Sequence, residues 1–249
     1  MIAITWVGHA TVLIELDGVR LLTDPVVRAR VGPLRRIAPP VDLVALRALD
    51  GVLLSHLHAD HVDLASLRDV ARDVPVFVPA PAAQWLMQRG LHGAQDLSPG
   101  ADVAVQAVRI SAVPAAHDAR RGPLGPAADP IGYVVSGSRS TYFAGDTDLF
   151  DGMAQLRGRV DIALLPVAGW GPRLGPGHLN PERAARAAAI IAPAVAIPIH
   201  WGTLAPAWTR RPEDPEAPVR AFLSCMAELA PDVAVRVLAP GERVDLSAA

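Results

Sequence analysis

Ser55-His56-Leu57-His58-Ala59-Asp60-His61 follows directly on the apolar run 51–54, and its reading decides the fold of the chain. Three histidines and an aspartate crowded into the end of a strand-length apolar segment are too concentrated for an ordinary polar turn. Side chains at i and i+2 share one face of an extended segment, so His56 and His58 can address one ion. Asp60 and His61 fall where the chain turns toward a helix and can address a second. Neutral imidazole and carboxylate suit zinc, iron or manganese. Cys225 is the only cysteine, which excludes a thiolate cage and an internal disulfide; within the apolar helical run 221–226 it reads as a small buried hydrophobe.

Outward from this run, short β-type segments are expected at 3–7, 11–16, 19–23 and 51–55, with turns at Gly8-His9 and Asp17-Gly18. The intervening stretch 26–40 is so rich in Arg, Pro and Gly that it reads as an irregular loop. Helical spacing marks 64–71 and 82–89, the latter ended by Gly90, with a buried strand at 74–78 between them. The second half repeats the style. Strands are expected at 102–106, 108–113, 131–136, 140–144, 162–166 and 195–199, and a polar, proline-rich loop at 122–130. A helix over 181–191 has Asn180 as N-cap and Pro181 in first position. A second helix over 219–229 and a terminal strand pair complete the chain. Strand meanders followed by strand–helix alternation, given twice, predict an α/β fold of two sheets packed face to face with helices outside. No linker divides the halves, so residues 1–249 read as one domain.

The 249 residues are 51% hydrophobic and 19% charged, a globular balance. Net charge −2 gives no general attraction to nucleic acid or anionic lipid. All 23 basic residues are arginine, which excludes Schiff-base or general-base lysine chemistry. No apolar run reaches the ~20 residues of a membrane span, and the first residues carry no cationic leader. The expectation is a cytoplasmic protein acting on a small-molecule substrate, without nucleic acid or stable membrane association, and with homo-oligomerisation left open.

His56-x-His58-x-Asp60-His61 resembles the signature of the metallo-β-lactamase superfamily. The resemblance extends in order along the chain. His117 in Pro114-Ala115-Ala116-His117 looks like the third histidine of the first metal site, Asp146 in Ala144-Gly145-Asp146 like the bridging carboxylate, and His200 in Ile199-His200-Trp201 like the last ligand of the second site. It implies the αββα sandwich of two mixed β-sheets with helices on the outer faces. It also implies two divalent cations, zinc foremost with manganese or iron as alternatives. His56, His58 and His117 would hold one ion, Asp60, His61 and His200 the other, and Asp146 would bridge. Two cations held roughly 3.5–4 Å apart lower the pKa of water toward ~7 and polarise a substrate oxygen, with Asp60 orienting the nucleophile.

Three further segments resemble the branch containing ascorbate-6-phosphate lactonases and N-acyl-phosphatidylethanolamine phospholipase D type enzymes: Trp6-Val7-Gly8-His9-Ala10-Thr11, Thr23-Asp24-Pro25-Val26 and Gly175-Pro176-Gly177-His178-Leu179-Asn180-Pro181-Glu182. Asp24 would then accept the far N–H of a ligand histidine, unless it only forms an Asp-Pro turn. His9 would line the floor of the site or merely close its own turn. His178 would donate to an oxyanion or protonate a leaving group, or else make a local bond where the helix begins. Arg35 and Arg36, with Arg28 and Arg30, would offer guanidinium groups to an anionic substrate or form a solvated loop. Trp170 foremost, with Trp201 and Trp208, would form an apolar wall for substrate or else cap the core; His92 reads as surface. The phospholipases carry an N-terminal segment and a membrane-facing apolar surface, whereas this sequence opens on the first strand. The expected reaction is therefore hydrolysis of a phosphoester, lactone or related ester in a small soluble substrate. The alternatives are an iron-dependent oxidoreductase of persulfide dioxygenase type and a nuclease.

Overall fold

The computed structural model describes residues 1–118, 120–122, 125–171, 174–210 and 214–247. The first half runs β1 (Ile2–Gly8), β2 (Thr11–Leu16), β3 (Val19–Thr23), β4 (Arg30–Val31), β5 (Leu34–Arg36), β6 (Gly51–Leu53), α1 (Leu64–Val70), β7 (Val76–Pro79), α2 (Ala83–Met87) and β8 (Ala94–Leu97). The second runs β9 (Asp102–Val105), β10 (Val108–Pro114), β11 (Ile131–Ser136), β12 (Ser140–Phe143), β13 (Ile162–Pro166), α3 (Pro181–Ile191), β14 (Val195–Ile199), β15 (Leu204–Pro206), α4 (Ala217–Leu229), β16 (Ala234–Val235) and β17 (Glu242–Asp245).

Among the described residues these strands build two seven-stranded sheets, β17-β1-β2-β3-β6-β7-β8 and β16-β14-β13-β12-β11-β10-β9. Each is mixed. Antiparallel pairs on one side give way to the parallel pairs β3–β6–β7–β8 in the first sheet and β12–β13–β14–β16 in the second. Alternation along the central strands shows how the layers stack. Leu53 and Phe77 join the large core between the sheets, while their neighbours Val52, Leu54, Val76 and Val78 pack with Leu67 and Leu86 of α1 and α2 on the outer face. In the second sheet, Ala184, Ala187, Ala188 and Ile191 of α3, with Phe222 and Met226 of α4, are buried against the same large core. The layers are thus helix, sheet, sheet, helix, as the sequence pattern and the resemblance imply.

Three expectations change. The arginine-rich stretch is not irregular: β4 and β5 form a hairpin, and β5 pairs antiparallel with the distant β15 in a small third sheet. The last strands do not pair with each other. β16 extends the second sheet, while β17 lies antiparallel to β1 in the first. Cys225 is half-buried rather than interior, because it lies on the edge of the buried face of α4. The loop expected at 122–130 includes residues 123 and 124, which lie outside the described residues. No helix among the described residues is long and apolar enough to cross a membrane.

Candidate metal centre

The seven predicted ligands, with His9 and Asp24, lie beyond the C-terminal ends of strands, whereas His178 sits just before α3. His9 follows β1, Asp24 follows β3, the run 56–61 follows β6, His117 follows β10, Asp146 follows β12 and His200 follows β14. Strand ends that point the same way therefore deliver side chains from both sheets to one edge of the sandwich, where open α/β sheets commonly bind ligands. The backbone is bent to do so. His9, Asp24 and His200 all have positive φ (53°, 32° and 66°), a conformation rare outside glycine and concentrated at functional sites. Gly145, beside Asp146, has φ 60°, and a Cβ there would lie 2.4 Å from that of Ser55. A side chain at 145 would push the two sheets' ligand loops apart.

Two donor groups form. His56, His58 and His117 present ring nitrogens to a common point, and beside it His9, His61 and His200 present ring nitrogens together with a carboxylate oxygen of Asp60. Asp146 lies between them, with Oδ2 3.9 Å from His56 Nε2 and 3.2 Å from His61 Nε2, and Oδ1 3.3 Å from His200 Nε2. All seven residues read from the sequence as metal ligands are thus brought together, with His9 and His178 beside them.

Hydrogen bonds behind the rings fix which nitrogen is bare. Carboxylates and carbonyls only accept, so the ring nitrogens that meet them carry protons. His61 Nδ1 donates to Asp24 Oδ2 (2.7 Å), His117 Nδ1 to the Gly177 carbonyl (2.8 Å) and His200 Nδ1 to the Ala168 carbonyl (2.7 Å). The Ser55 hydroxyl donates to Asp24 (2.5 Å) and accepts from His56 Nδ1 (3.0 Å). In the neutral rings of His56, His117 and His200 the Nε2 lone pair therefore faces inward, and His61 turns its Nε2 toward Asp146 Oδ2 at 3.2 Å. His61 Nε2 and His200 Nε2 stand 3.2 Å apart, close enough to share a proton or to meet one cation.

Such an arrangement fits a cation and little else. Buried His56 Nε2 and Asp146 Oδ1 have no hydrogen-bond partner among the described residues. Asp24, Asp60 and Asp146 are three buried or nearly buried carboxylates whose ion-pair partners among the described residues are all histidines. Burial holds His56 well below its ordinary pKa, His117 at about 4 and His200 at about 3, the neutral state that ligation needs. His61 is the exception. Burial works to lower it, but Asp146, Asp60 and Asp24 raise it well above the usual histidine value. Burial likewise opposes the charge on Asp146 and Asp60, yet the surrounding histidines hold both carboxyls below their ordinary range.

Asp24 does more than form a turn. It takes one bond from His61 and two from Ser55. His9 Nε2 lies 3.0 Å from Asp60 Oδ2, and its ring lies 3.8 Å from that of His200. His178 makes the local bonds expected where a helix begins, to the carbonyls of Gly175 and Pro176, yet also brings Nε2 within 3.4 Å of Asp146. That Asp146 contact is the leading reason its pKa is raised. Asp60, Asp146, His58, His178, His200 and Trp170 line a cavity of about 350 Å³ above the donors.

Arg28, Arg30, Arg35 and Arg36 are not among the described residues that line this cavity. Arg36 donates to the carbonyls of Val7 (2.6 Å) and Pro39 (2.6 Å), and burial lowers its pKa to about 10. Arg35 reaches the Thr209 carbonyl at 3.3 Å, and Arg28 pairs with Asp69. Pairing of β5 with β15 draws this stretch into a sheet and turns its side chains elsewhere. Trp201 is buried with its ring centroid 4.8 Å from that of Trp6 and belongs to the core, while Trp208 and His92 are exposed. Ser55 and Arg121 escaped the sequence reading. Arg121 Nη1 donates to the carbonyls of Leu57 (3.0 Å) and Val62 (2.8 Å), bracing both ends of the histidine loop; no local pattern marks either residue.

Residues 19–201 match the family described as the beta-lactamase superfamily domain. A metal-dependent hydrolase of Methanopyrus kandleri is 36% identical over 96% of this chain and 97% of its own length. The N-acyl-phosphatidylethanolamine-hydrolyzing phospholipase D 1 of Caenorhabditis elegans is 31% identical over 80% of this chain and 63% of its own length. A solved metallo hydrolase from Ignicoccus hospitalis superposes with a TM-score of 0.75 at 24% identity, covering 98% of this chain and 97% of its own. The paired histidine–aspartate groups, the sheet sandwich that presents them and these matches agree: the chain belongs to the metallo-β-lactamase superfamily and is a metal-dependent hydrolase.

Proposed function

We propose that the protein hydrolyses a phosphoester, lactone or related ester bond of a small molecule at a two-metal centre. The observation that carries this reading is the convergence of the Nε2 atoms of His56, His61 and His200 on the two oxygens of Asp146, with His58 and His117 grouped beside His56. His56, His58 and His117 would hold one divalent cation, Asp60, His61 and His200 the other, with Asp146 shared. Zinc is the first choice for these donors, with manganese and iron as alternatives. When bound, such cations supply Lewis acidity and bring the pKa of water toward ~7.

The remaining work falls to the chain's own side chains. Asp60, held from behind by His9, accepts a hydrogen bond from the attacking water and aims its oxygen at the scissile carbon or phosphorus. As the new oxygen bond forms and the bond to the leaving oxygen breaks, His178 Nε2, on the cavity wall, gives that oxygen its proton. The C. elegans relative, named for hydrolysing a phospholipid phosphodiester, supports including phosphoesters among the substrates.

The test is metal analysis of the purified protein followed by phosphodiester, phosphomonoester, lactone and thioester substrates. Asp146→Ala should lose metal loading and turnover together. His178→Gln should keep its metal and lose on the order of 10²-fold or more in kcat, the usual contribution of a general acid. Turnover by a metal-depleted Asp146→Ala protein would overturn the two-metal reading.

A further inference from the structure

Beside the cavity over the donors lies a second one of about 400 Å³, and Gly169, Trp170 and Gly171 line both. The two differ in chemistry. The cavity over the donors sets its histidines and carboxylates beside Trp170 and Leu174, whereas the second holds none of the donors and takes in Ile37, Leu204, Pro206, Pro215, Ala217 and Pro218. Its polar side chains are Thr209, Arg210 and Asp214, from the segment joining β15 to α4. The small third sheet forms part of its wall: β15, held by β5, supplies Leu204, Ala205 and Pro206. The arginine-rich stretch therefore shapes an apolar groove through this pairing instead of offering charge to a substrate. Trp170, 41% exposed although large and apolar, is the shared wall.

We infer that this groove receives the apolar acyl chain of the substrate, whose polar scissile group lies over the histidine–aspartate cluster on the other side of Trp170. The inference rests on the proposed ester hydrolysis and narrows its substrate class to amphiphilic esters. Continuity fixes the occupant. A groove that shares its wall with the reaction cavity, with apolar sides and a size typical of small-molecule sites, suits an unbranched or aryl chain attached to the reacting group. A short polar ester would leave it filled only by water.

Chain length supplies the readout. Linear alkanoates from acetate to decanoate, titrated calorimetrically into the metal-loaded protein, should bind about fourfold tighter for each added methylene until the groove is full. The matching acyl esters should show the same slope in kcat/KM. Ala217 is exposed on the groove side of α4, so Ala217→Trp fills the space without disturbing the core. In that variant both slopes should flatten. A flat alkanoate series in the natural protein, or a slope that Ala217→Trp leaves intact, would overturn the groove assignment. A steep binding series without turnover of any ester would sustain the groove and overturn the hydrolytic reading instead.

Discussion

Asp24 governs two histidines at once, His61 through a direct bond and His56 by way of the Ser55 hydroxyl. One buried carboxylate thereby fixes a ring tautomer in each donor group. Such outer partners typically contribute 10–100-fold in metal affinity. Ser55→Ala should therefore weaken metal binding within that range, measured by competition with a chelator, while stability changes by only ~1 kcal/mol for the lost hydrogen bonds. Unchanged affinity would mean that packing alone orients His56. The ligands themselves were legible from the sequence because imidazole and carboxylate announce their chemistry wherever they stand. Ser55 and Arg121 were not, since a hydroxyl or a guanidinium gains its role only from what the fold places beside it. Arg35 and Arg36 failed for the same reason: their charge was visible, but the carbonyls of Val7, Pro39 and Thr209 that engage them were not.

Elements whose signals are local were legible almost to the residue. Asn180 caps α3 as its position before Pro181 suggested, accepting from the Arg183 amide at 2.8 Å, and the helix spans Pro181–Ile191. Asn180→Ala should cost about 1 kcal/mol in equilibrium denaturation, the usual loss of a cap. Metal affinity should hold, because Asn180 touches no donor. A parallel loss of metal would show that the start of α3 also steadies the His117 side of the centre. Elements made by distant pairing were not legible. β4 and β5 are short and rich in arginine, and they exist as strands because β15 supplies the other edge. The same holds for β17, which is assigned to the first sheet only by lying against β1.

At the scale of the whole molecule, the centre is a clasp between the two sheets. Loops of the first sheet supply His56, His58, Asp60 and His61, and loops of the second supply His117, Asp146 and His200. A ligand that binds only the folded state stabilises it by mass action, about 2.7 kcal/mol at a hundredfold excess over its Kd. For a chain of this size that is a rise of roughly 5–10 °C in Tm on adding metal to chelator-treated protein. The gain should depend on pH with a definite sign. His117 and His200 have folded pKa values of about 4 and about 3, lowered by burial from 6.5. Above 6.5 they are neutral in both states. As pH falls below that, the unfolded chain takes up protons that the folded one refuses, so their contribution is lost between about 6.5 and 3. His61 runs the other way. Its raised pKa stabilises the metal-free protein below 6.5, and that stabilisation is lost as pH rises through the folded value. Protons compete with metal for every imidazole donor. His61 is where protons compete first, while burial keeps His117 and His200 neutral down to about 4 and about 3. The metal-induced rise should thus be largest near pH 8, shrink as His61 takes up its proton, and vanish only as pH nears about 4. Differential scanning calorimetry of metal-loaded and metal-stripped protein across that interval measures it. A gap that stayed constant from pH 8 to about 4.5 would be incompatible with a clasp built mostly of imidazole.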